Sequence, residues 1–397
     1  MTGILARFFA VVACGFVAFG SMALPSAAAE DGPAWTFAMY MCSDNDLDYW
    51  GQVNIDWLKS VGSTDDVKFV VLWDTSTGPA NLWLVEKHST VRMADFKYDG
   101  VETNMGDPEV LESLVDYLGS EFGSENLLID LWNHGDDFRG ICFDHDTGTE
   151  DALDYLTHQE IGDALSGKPV SVIAADGCGL GIIEASYEYV VRGVTAEWFV
   201  ASENYVPLQG FPYETIGEDL VSDPGMSPKA LSKVIVERYA EFYNSGWLTE
   251  LAAIRLAEIR DVVDQLWDVT AILSNDMAIY RGLVASGRAQ ATMGWSQYGW
   301  EAYVDFPTIF EVISKRAPAG SALKAEAKEL LMALEVAVPF VGPGYPAEVW
   351  GPEGLSVFFP PSHGSFKHNV FWKGSLYPTM QFAQDGWLDF LHSFYGI

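Results

Sequence analysis

The sequence predicts an α/β fold, with a mostly parallel sheet carrying helices on both faces and a mostly helical C-terminal part after it. Two observations carry this. Over about the first half, short apolar runs alternate with segments of helical spacing, the pattern of successive βα units. From Pro228 onward helical periodicity takes over, and only Gly354–Pro360 reads as a late strand. The chain has 397 residues, 49% apolar and 20% charged, a balance that supports a large core without covalent staples.

The elements follow in order. Arg7 precedes the apolar run from Phe8 to Leu24, and Ala27 and Ala29 hold the small-residue positions of a cleavage site. This is the pattern of a secretory signal peptide cut after Ala29. An uncleaved anchor is the alternative, disfavoured by the small residues behind the run. Ala34–Cys42 reads as a buried strand, with Ser43 or Asp44 placed to cap a helix running through Leu58. Val67–Trp73 is a second buried strand, and Asn81–His88 an edge strand or hairpin arm. Asp107–Phe122 has helical spacing after an acidic first turn. Asn126–Trp132, Pro169–Ala175 and Glu197–Ser202 are three more strands, separated by helices at His158–Leu165 and Gly181–Val190. Pro228–Asn244, Arg255–Leu273 and Ala322–Val338 are helical. The chain thus divides into a signal peptide (1–29), an α/β domain (30–250) and a mostly helical C-terminal domain (251–397). No repeat or linker marks the last transition.

Charge narrows the partners. With 22 basic and 56 acidic side chains the net charge is −34, which repels nucleic-acid phosphates. It suits solubility outside the cell and attracts cationic peptides at modest ionic strength. Of four cysteines, Cys14 leaves with the signal peptide, so Cys42, Cys142 and Cys178 remain. An odd number leaves a thiol free or paired with another chain.

Two strand ends stand out. His134 and Gly135 lie just beyond "NLLIDLW", and Cys178 lies between two glycines just beyond "VSVIAA". Sites in open parallel sheets form beyond the carboxyl ends of strands, so both side chains should emerge at one edge. An imidazole near a thiol can stabilise the thiolate and shuttle its proton, the minimum for acyl transfer to cysteine. Glycine backbone allows a scissile carbonyl to approach closely, and the amides of Gly135 and Cys178 are placed to hold an oxyanion. From the residues alone, a buried structural cysteine stands as an equal reading.

The ordered set "NHGDDFRGICFD", "AADGCGLGIIEASYE" and "VASENYVPLQGFPYE" resembles the clostripain family of cysteine peptidases, in the clan of caspases, legumains and gingipains. The resemblance extends to "WTFAMYMCSDNDLD", "SPKALSKVIVERYAEFY" and "GLSVFFP". It implies a caspase-like fold and an exported cysteine endopeptidase, secreted or periplasmic, acting on proteins or peptides. In that pattern His134 is the catalytic histidine, Cys178 the nucleophile, and the two work as a dyad. Asp176 matches the aspartate of the primary specificity pocket, which implies cleavage after Arg or Lys; by position alone a turn cap after the strand is the alternative.

The chain also departs from its relatives. Phe211 stands where they often have Trp, and Val206–Gln209 contains no acidic residue to reinforce the pocket. Asp144–Glu160 contains no Lys or Arg, so self-cleavage there is not expected. The chemistry requires no cofactor. Some clostripains depend on calcium; the acidic segment around His145 lacks EF-hand spacing, so calcium stays open and no metal ligand is assigned. His363–Gly364 is the rival His-Gly pair, read as a surface turn; His88, His158, His368 and His392 are read as surface or core residues. A second function class also stays open, a non-catalytic secreted surface-binding protein on the same scaffold.

Overall fold

The computed structural model describes residues 32–147, 153–244, 249–291, 301–343 and 353–397. The expected signal peptide at 1–29 lies outside the described residues. The first half builds strands β1 (Trp35–Ser43), β2 (Val67–Thr75), β3 (Gly78–Glu86), β4 (Ser89–Arg92) and β5 (Asn126–Trp132). The hairpin of β6 (Ile141–Asp144) and β7 (Asp154–Leu156) comes next, then β8 (Val172–Asp176) and β9 (Trp198–Ala201). Helices α1 (Asp48–Val61), α2 (Pro108–Glu121), α3 (His158–Ala164), α4 (Ile183–Val191), α5 (Tyr213–Ser222) and α6 (Pro228–Phe242) lie between and after them. The C-terminal part adds β10 (Glu250–Arg255), α7 (Ile259–Asn275), α8 (Met277–Gln290), β11 (Tyr303–Asp305), α9 (Phe306–Arg316), α10 (Ala322–Ala337), β12 (Phe340–Pro343), β13 (Ser356–Phe358), α11 (His363–Trp372) and α12 (Leu388–Tyr395).

The large sheet has the order β12-β10-β9-β8-β5-β1-β2-β3-β4. Its centre, β9-β8-β5-β1-β2, is parallel, and antiparallel strands finish both sides. Strand periodicity divides the core into two layers. Ala38, Tyr40, Ile129, Leu131, Ile173 and Ala175 face a cluster that includes residues of α2, α3 and α4, and extends into the C-terminal helices. Phe37, Met39, Leu128, Val172 and Ala174 face the opposite layer, filled by α1, α5 and α6. Both faces of the central strands are therefore buried, which is why these strands are apolar throughout.

Residues 32–397 form one compact unit, and the division expected near residue 250 falls on β10, itself a strand of the large sheet. Sequence reading missed three strands beyond that point. β10 is centred on an alanine pair with weak strand preference, β11 has three residues, and β12 ends in Gly-Pro. The start of α1 also differs from expectation. Leu47 precedes the helix without a side-chain cap, because Ser43 Oγ donates to the Asp74 carbonyl (2.7 Å) and accepts from Trp73 Nε1 (2.8 Å). His363 is the first residue of α11, capped by Ser362, and not a surface turn.

The C-terminal segment is fastened to α4 by buried acids. Glu184 Oε1 accepts from Phe358 N (3.0 Å) and Tyr377 OH (3.0 Å), and the Ser356 amide donates to Gly181 O (2.9 Å). The glutamates of "EASYE" thus hold the C-terminal part against the edge where the candidate site lies.

Candidate active site

β5 and β8 are parallel neighbours with Trp132 opposite Asp176, so the turns that follow them leave the sheet side by side. His134 and Cys178 each lie two residues past that register pair. The turns pack backbone on backbone: a Cβ on Gly135 would come within 2.3 Å of the Cys178 carbonyl oxygen, and one on Gly177 within 2.8 Å of Asn133 O. Only glycine fits at these two places. Among the described residues neither the Gly135 nor the Cys178 amide donates to a protein acceptor, which leaves both N–H groups available to a ligand.

A cavity of about 170 Å³ opens over this junction, and His134, Asp176 and Cys178 all line it, together with Trp132, Leu47 and the Tyr205–Leu208 stretch. Cys178 is half-buried, and its Sγ accepts from Val206 N (3.4 Å). Burial pushes its thiol up to about 12, only partly opposed by the Val206 amide. The sulfur therefore rests as a neutral thiol. No hydrogen bond joins it to His134 among the described residues. The imidazole pairs instead through Nε2 with Asp46 Oδ1 at 2.9 Å, an exposed contact whose hydrogen bond lowers the Asp46 carboxyl. That leaves Nδ1 as the ring nitrogen free for proton transfer.

Neighbouring groups fix this frame. Trp132 Nε1 donates to Asn54 Oδ1 (2.8 Å), and Asn54 Nδ2 donates to Gln209 O (3.0 Å), tying β5 to the pocket loop through α1. Asn133 Nδ2 donates to Cys42 O, holding the ends of β1 and β5 together. Beyond Gly135, Asp137 adopts φ +50°, a strained conformation for a non-glycine residue. It is held from two sides: Lys373 Nζ donates to Asp137 Oδ2 (2.7 Å) and also to Asp136, while His158 Nε2 donates to the Asp137 carbonyl (2.7 Å). Burial lowers His158 to about 4, so it is the neutral tautomer with Nδ1 accepting from Tyr189 OH. His158 is therefore structural, and His363 stacks on Tyr395 and does not line the cavity.

Asp176 is 5% exposed, and its Oδ2 accepts from Phe211 N (2.7 Å) and Tyr213 OH (2.7 Å). It both lines the cavity and anchors the turn before α5. The sequence reading named His134, Gly135, Asp176 and Cys178, and the structure brings these four together. It missed Asp46, Asn54, Asn133, Tyr213 and Lys373. Of these, Asp46, Asn133 and Tyr213 stood in stretches already singled out, "SDNDLD", "NHGDDFRGICFD" and "VASENYVPLQGFPYE", but with no role of their own. The others are polar residues in apolar surroundings, a signal that sequence alone assigns to no partner.

A sequence profile of the clostripain family matches residues 39–316. Clostripain of Hathewaya histolytica is 26% identical over a match spanning 70% of this chain; the chain spans 62% of the length of that relative. Two solved structures share the fold. An inactive zymogen C11 protease of Parabacteroides distasonis superposes with a TM-score of 0.64 at 17% identity, covering 89% of this chain and 98% of the other. A secreted C11 cysteine protease of Bacteroides thetaiotaomicron, in complex with an irreversible peptide inhibitor, gives 0.64 at 16% identity, covering 89% and 99%.

Proposed function

The chain belongs to the clostripain family, and from that premise we propose that it is an exported cysteine endopeptidase that cleaves after arginine or lysine. One observation carries the reading: a cavity lined by a cysteine, a histidine and a buried aspartate, beside which the amides of Cys178 and Gly135 make no hydrogen bond among the described residues. A substrate carbonyl over Cys178 receives the sulfur while the thiol proton passes to His134. The amides of Gly135 and Cys178 hold the oxyanion as it forms. His134 then gives its proton to the departing amine, and water, deprotonated by the same imidazole, releases the acyl group from sulfur. Asp46 keeps the ring turned toward this exchange, and Asp176 receives the substrate cation. Because the resting thiol is neutral, the proton transfer accompanies substrate engagement and does not precede it.

The substrates in this reading are proteins and peptides. Export would run through residues 1–29; the Bacteroides relative is described as secreted, and no helix among the described residues is long and apolar enough to cross a membrane. Purified protein incubated with peptides that differ only in arginine or citrulline before the scissile bond tests the activity. Hydrolysis that favours arginine and vanishes in Cys178→Ala supports the reading. Equal hydrolysis by Cys178→Ala would refute it.

Calcium belongs to the same reading as a structural ion, with no part in the chemistry. Asp44, Glu102 and Asp146 place oxygens within 4.8 Å of one another, and the ligand atoms of Cys42, Asp74 and Asp144 do likewise. Asp74 is fully buried, and among the described residues neither of its carboxylate oxygens has a hydrogen-bond partner. Five of these six groups are carboxylates, whose oxygens suit a hard cation with oxygen ligands at about 2.3–2.6 Å, and the Cys42 sulfur does not, so the ion would rest on the acids. Asn45 Nδ2 donates to Phe143 O, so the same loops carry Asp46, and calcium bound there would stiffen the turn that holds His134. Calcium should raise the melting temperature, by about 2.7 kcal/mol of stability at a hundredfold excess over Kd, and Asp74→Asn with Asp146→Asn should abolish the rise. A melting temperature indifferent to calcium would remove the ion from the account.

A further inference from the structure

Behind the cavity lies a second carboxyl that the chemistry above does not use. Asp130, in the middle of β5, is fully buried, and among the described residues its Oδ1 has no hydrogen-bond partner. Its Oδ2 lies 2.6 Å from Tyr213 OH, and the same hydroxyl lies 2.7 Å from Asp176 Oδ2. Tyr213 is held at the start of α5 by the turn Gly210-Phe211-Pro212. Gly210 has φ +67°, and a Cβ there would come within 2.3 Å of Asp176 Oδ2. The turn therefore presses its backbone onto Asp176 and delivers both the Phe211 amide and the Tyr213 hydroxyl to one oxygen.

Counting protons decides the arrangement. A phenol carries one hydrogen and can donate to only one of the two carboxyls. Were both ionised, one carboxylate would face the phenol lone pairs at hydrogen-bond distance with no hydrogen between them. The contact is attractive only if one carboxyl is protonated. Asp176 Oδ2 already accepts from Phe211 N, so it is the group organised as an acceptor. Apart from Tyr213, the only donor acting on Asp130 among the described residues is the Asp176 backbone amide, the weakest of its influences, so Asp130 is the group that holds the proton and donates to the Tyr213 oxygen.

We propose that Asp130 and Tyr213 are positioning residues for specificity: Asp130, kept as the neutral acid, hydrogen-bonds through Tyr213 to Asp176 and fixes Asp176 as the single anion of the pocket. The inference rests on the reading of Asp176 as the partner of a substrate cation. It also accounts for a pocket loop, Val206–Gln209, that brings no acid of its own: the pocket holds two carboxyls but one charge. The surroundings agree. Burial and the Asp176 charge push Asp130 well up despite the hydrogen bonds of Tyr213 and the Asp176 amide, whereas burial raises Asp176 only to about 7, against the hydrogen bonds of Tyr213 and Phe211. The other titratable groups acting on the pair are Tyr239 and Tyr243 from the α6 side, Cys178 beyond β8 and Cys142 on β6, none of them a cation.

The test compares arginine and citrulline peptides across pH. Tyr213→Phe removes one of the two donors to Asp176 Oδ2. It should lower kcat/KM for arginine about tenfold or more, through KM, and move the acid limb of that profile to higher pH. The citrulline peptide and alkylation of Cys178 by a small electrophile should respond little. Asp130→Leu should lose arginine preference in the same way, and Asp130→Asn should restore it, since an amide N–H can donate to Tyr213 as the neutral acid does. An Asp130→Asn variant that loses arginine preference as fully as Asp176→Asn would show that Asp130 is a binding anion and overturn the proposal. An infrared difference spectrum between wild type and Asp130→Asn should contain the carbonyl band of a protonated carboxylic acid, and its absence would also overturn it. These outcomes differ from failure of the underlying reading, in which Asp176→Asn itself leaves arginine preference intact.

Discussion

Asp46→Asn separates a residue that orients the histidine from one that drives catalysis. The contact between His134 Nε2 and Asp46 Oδ1 has good length, 2.9 Å, but little shelter: the side chains are 42% and 77% exposed. Exposed ion pairs are worth about 0.2–1 kcal/mol, because water screens the charges and two side chains lose freedom to meet. If that energy is expressed wholly in the transition state, the variant loses about 1.4- to 5-fold in kcat. Removing the imidazole should cost orders of magnitude more, since it abolishes the proton carrier itself. Salt provides a second axis. Screening shortens the reach of exposed charges to about 3 Å at 1 M, so the difference between wild type and Asp46→Asn should shrink as ionic strength rises. The assay is steady-state hydrolysis of an arginine peptide at low and high salt, with calcium fixed. A salt-insensitive loss of about a hundredfold or more would refute the argument, because Asp46 would then act in a closed, dry site.

Three further outcomes follow from the geometry. His134→Ala should lose several orders of magnitude in turnover while His363→Ala stays near wild type, since His363 stacks on Tyr395 outside the cavity; steady-state rates giving the reverse order would mean the wrong imidazole. Alkylation of Cys178 by a small neutral reagent should keep rising with pH beyond about pH 9, as expected for a thiol pushed up to about 12 by burial; a plateau near neutral pH, followed by mass spectrometry, would show a resting thiolate instead. Glu184 is raised by burial to about 7, so its protonated form favours the folded state at low pH, and that contribution is lost as pH rises through about 7. From 4.5 to about 7 this amounts to about 3 kcal/mol. Glu184→Gln should therefore flatten the fall in denaturation midpoint between about pH 5 and about pH 8, and an unchanged slope would contradict the assignment.

Much of the central sheet was legible because its strands are buried on both faces and so read as unbroken apolar runs. The register of Trp132 with Asp176 then turned two sequence-distant motifs into neighbours, as strand-end reasoning anticipates. What stayed hidden depends on distance across the fold. Asp130 sits inside "NLLIDLW" as one polar residue in an apolar strand, and nothing local shows that Tyr213, far along the chain, lies against it. Lys373 carries no local signal of its role, yet it is half-buried against Asp136 and Asp137. The short strands β10, β11 and β12 were lost because β11 has only three residues and β10 and β12 include Ala, Gly or Pro, so none carries a periodic signal. The α1 cap was misplaced because Ser43 bonds across the sheet to Asp74.

The central claim is that Cys178 is a nucleophile served by His134. A peptidyl electrophile ending in arginine, incubated with the purified protein and followed by intact mass and peptide mapping, addresses it directly. The account predicts one adduct, on Cys178, formed fast in wild type and far more slowly in His134→Ala. No adduct under reducing conditions, or one carried by Cys42 or Cys142, would contradict it.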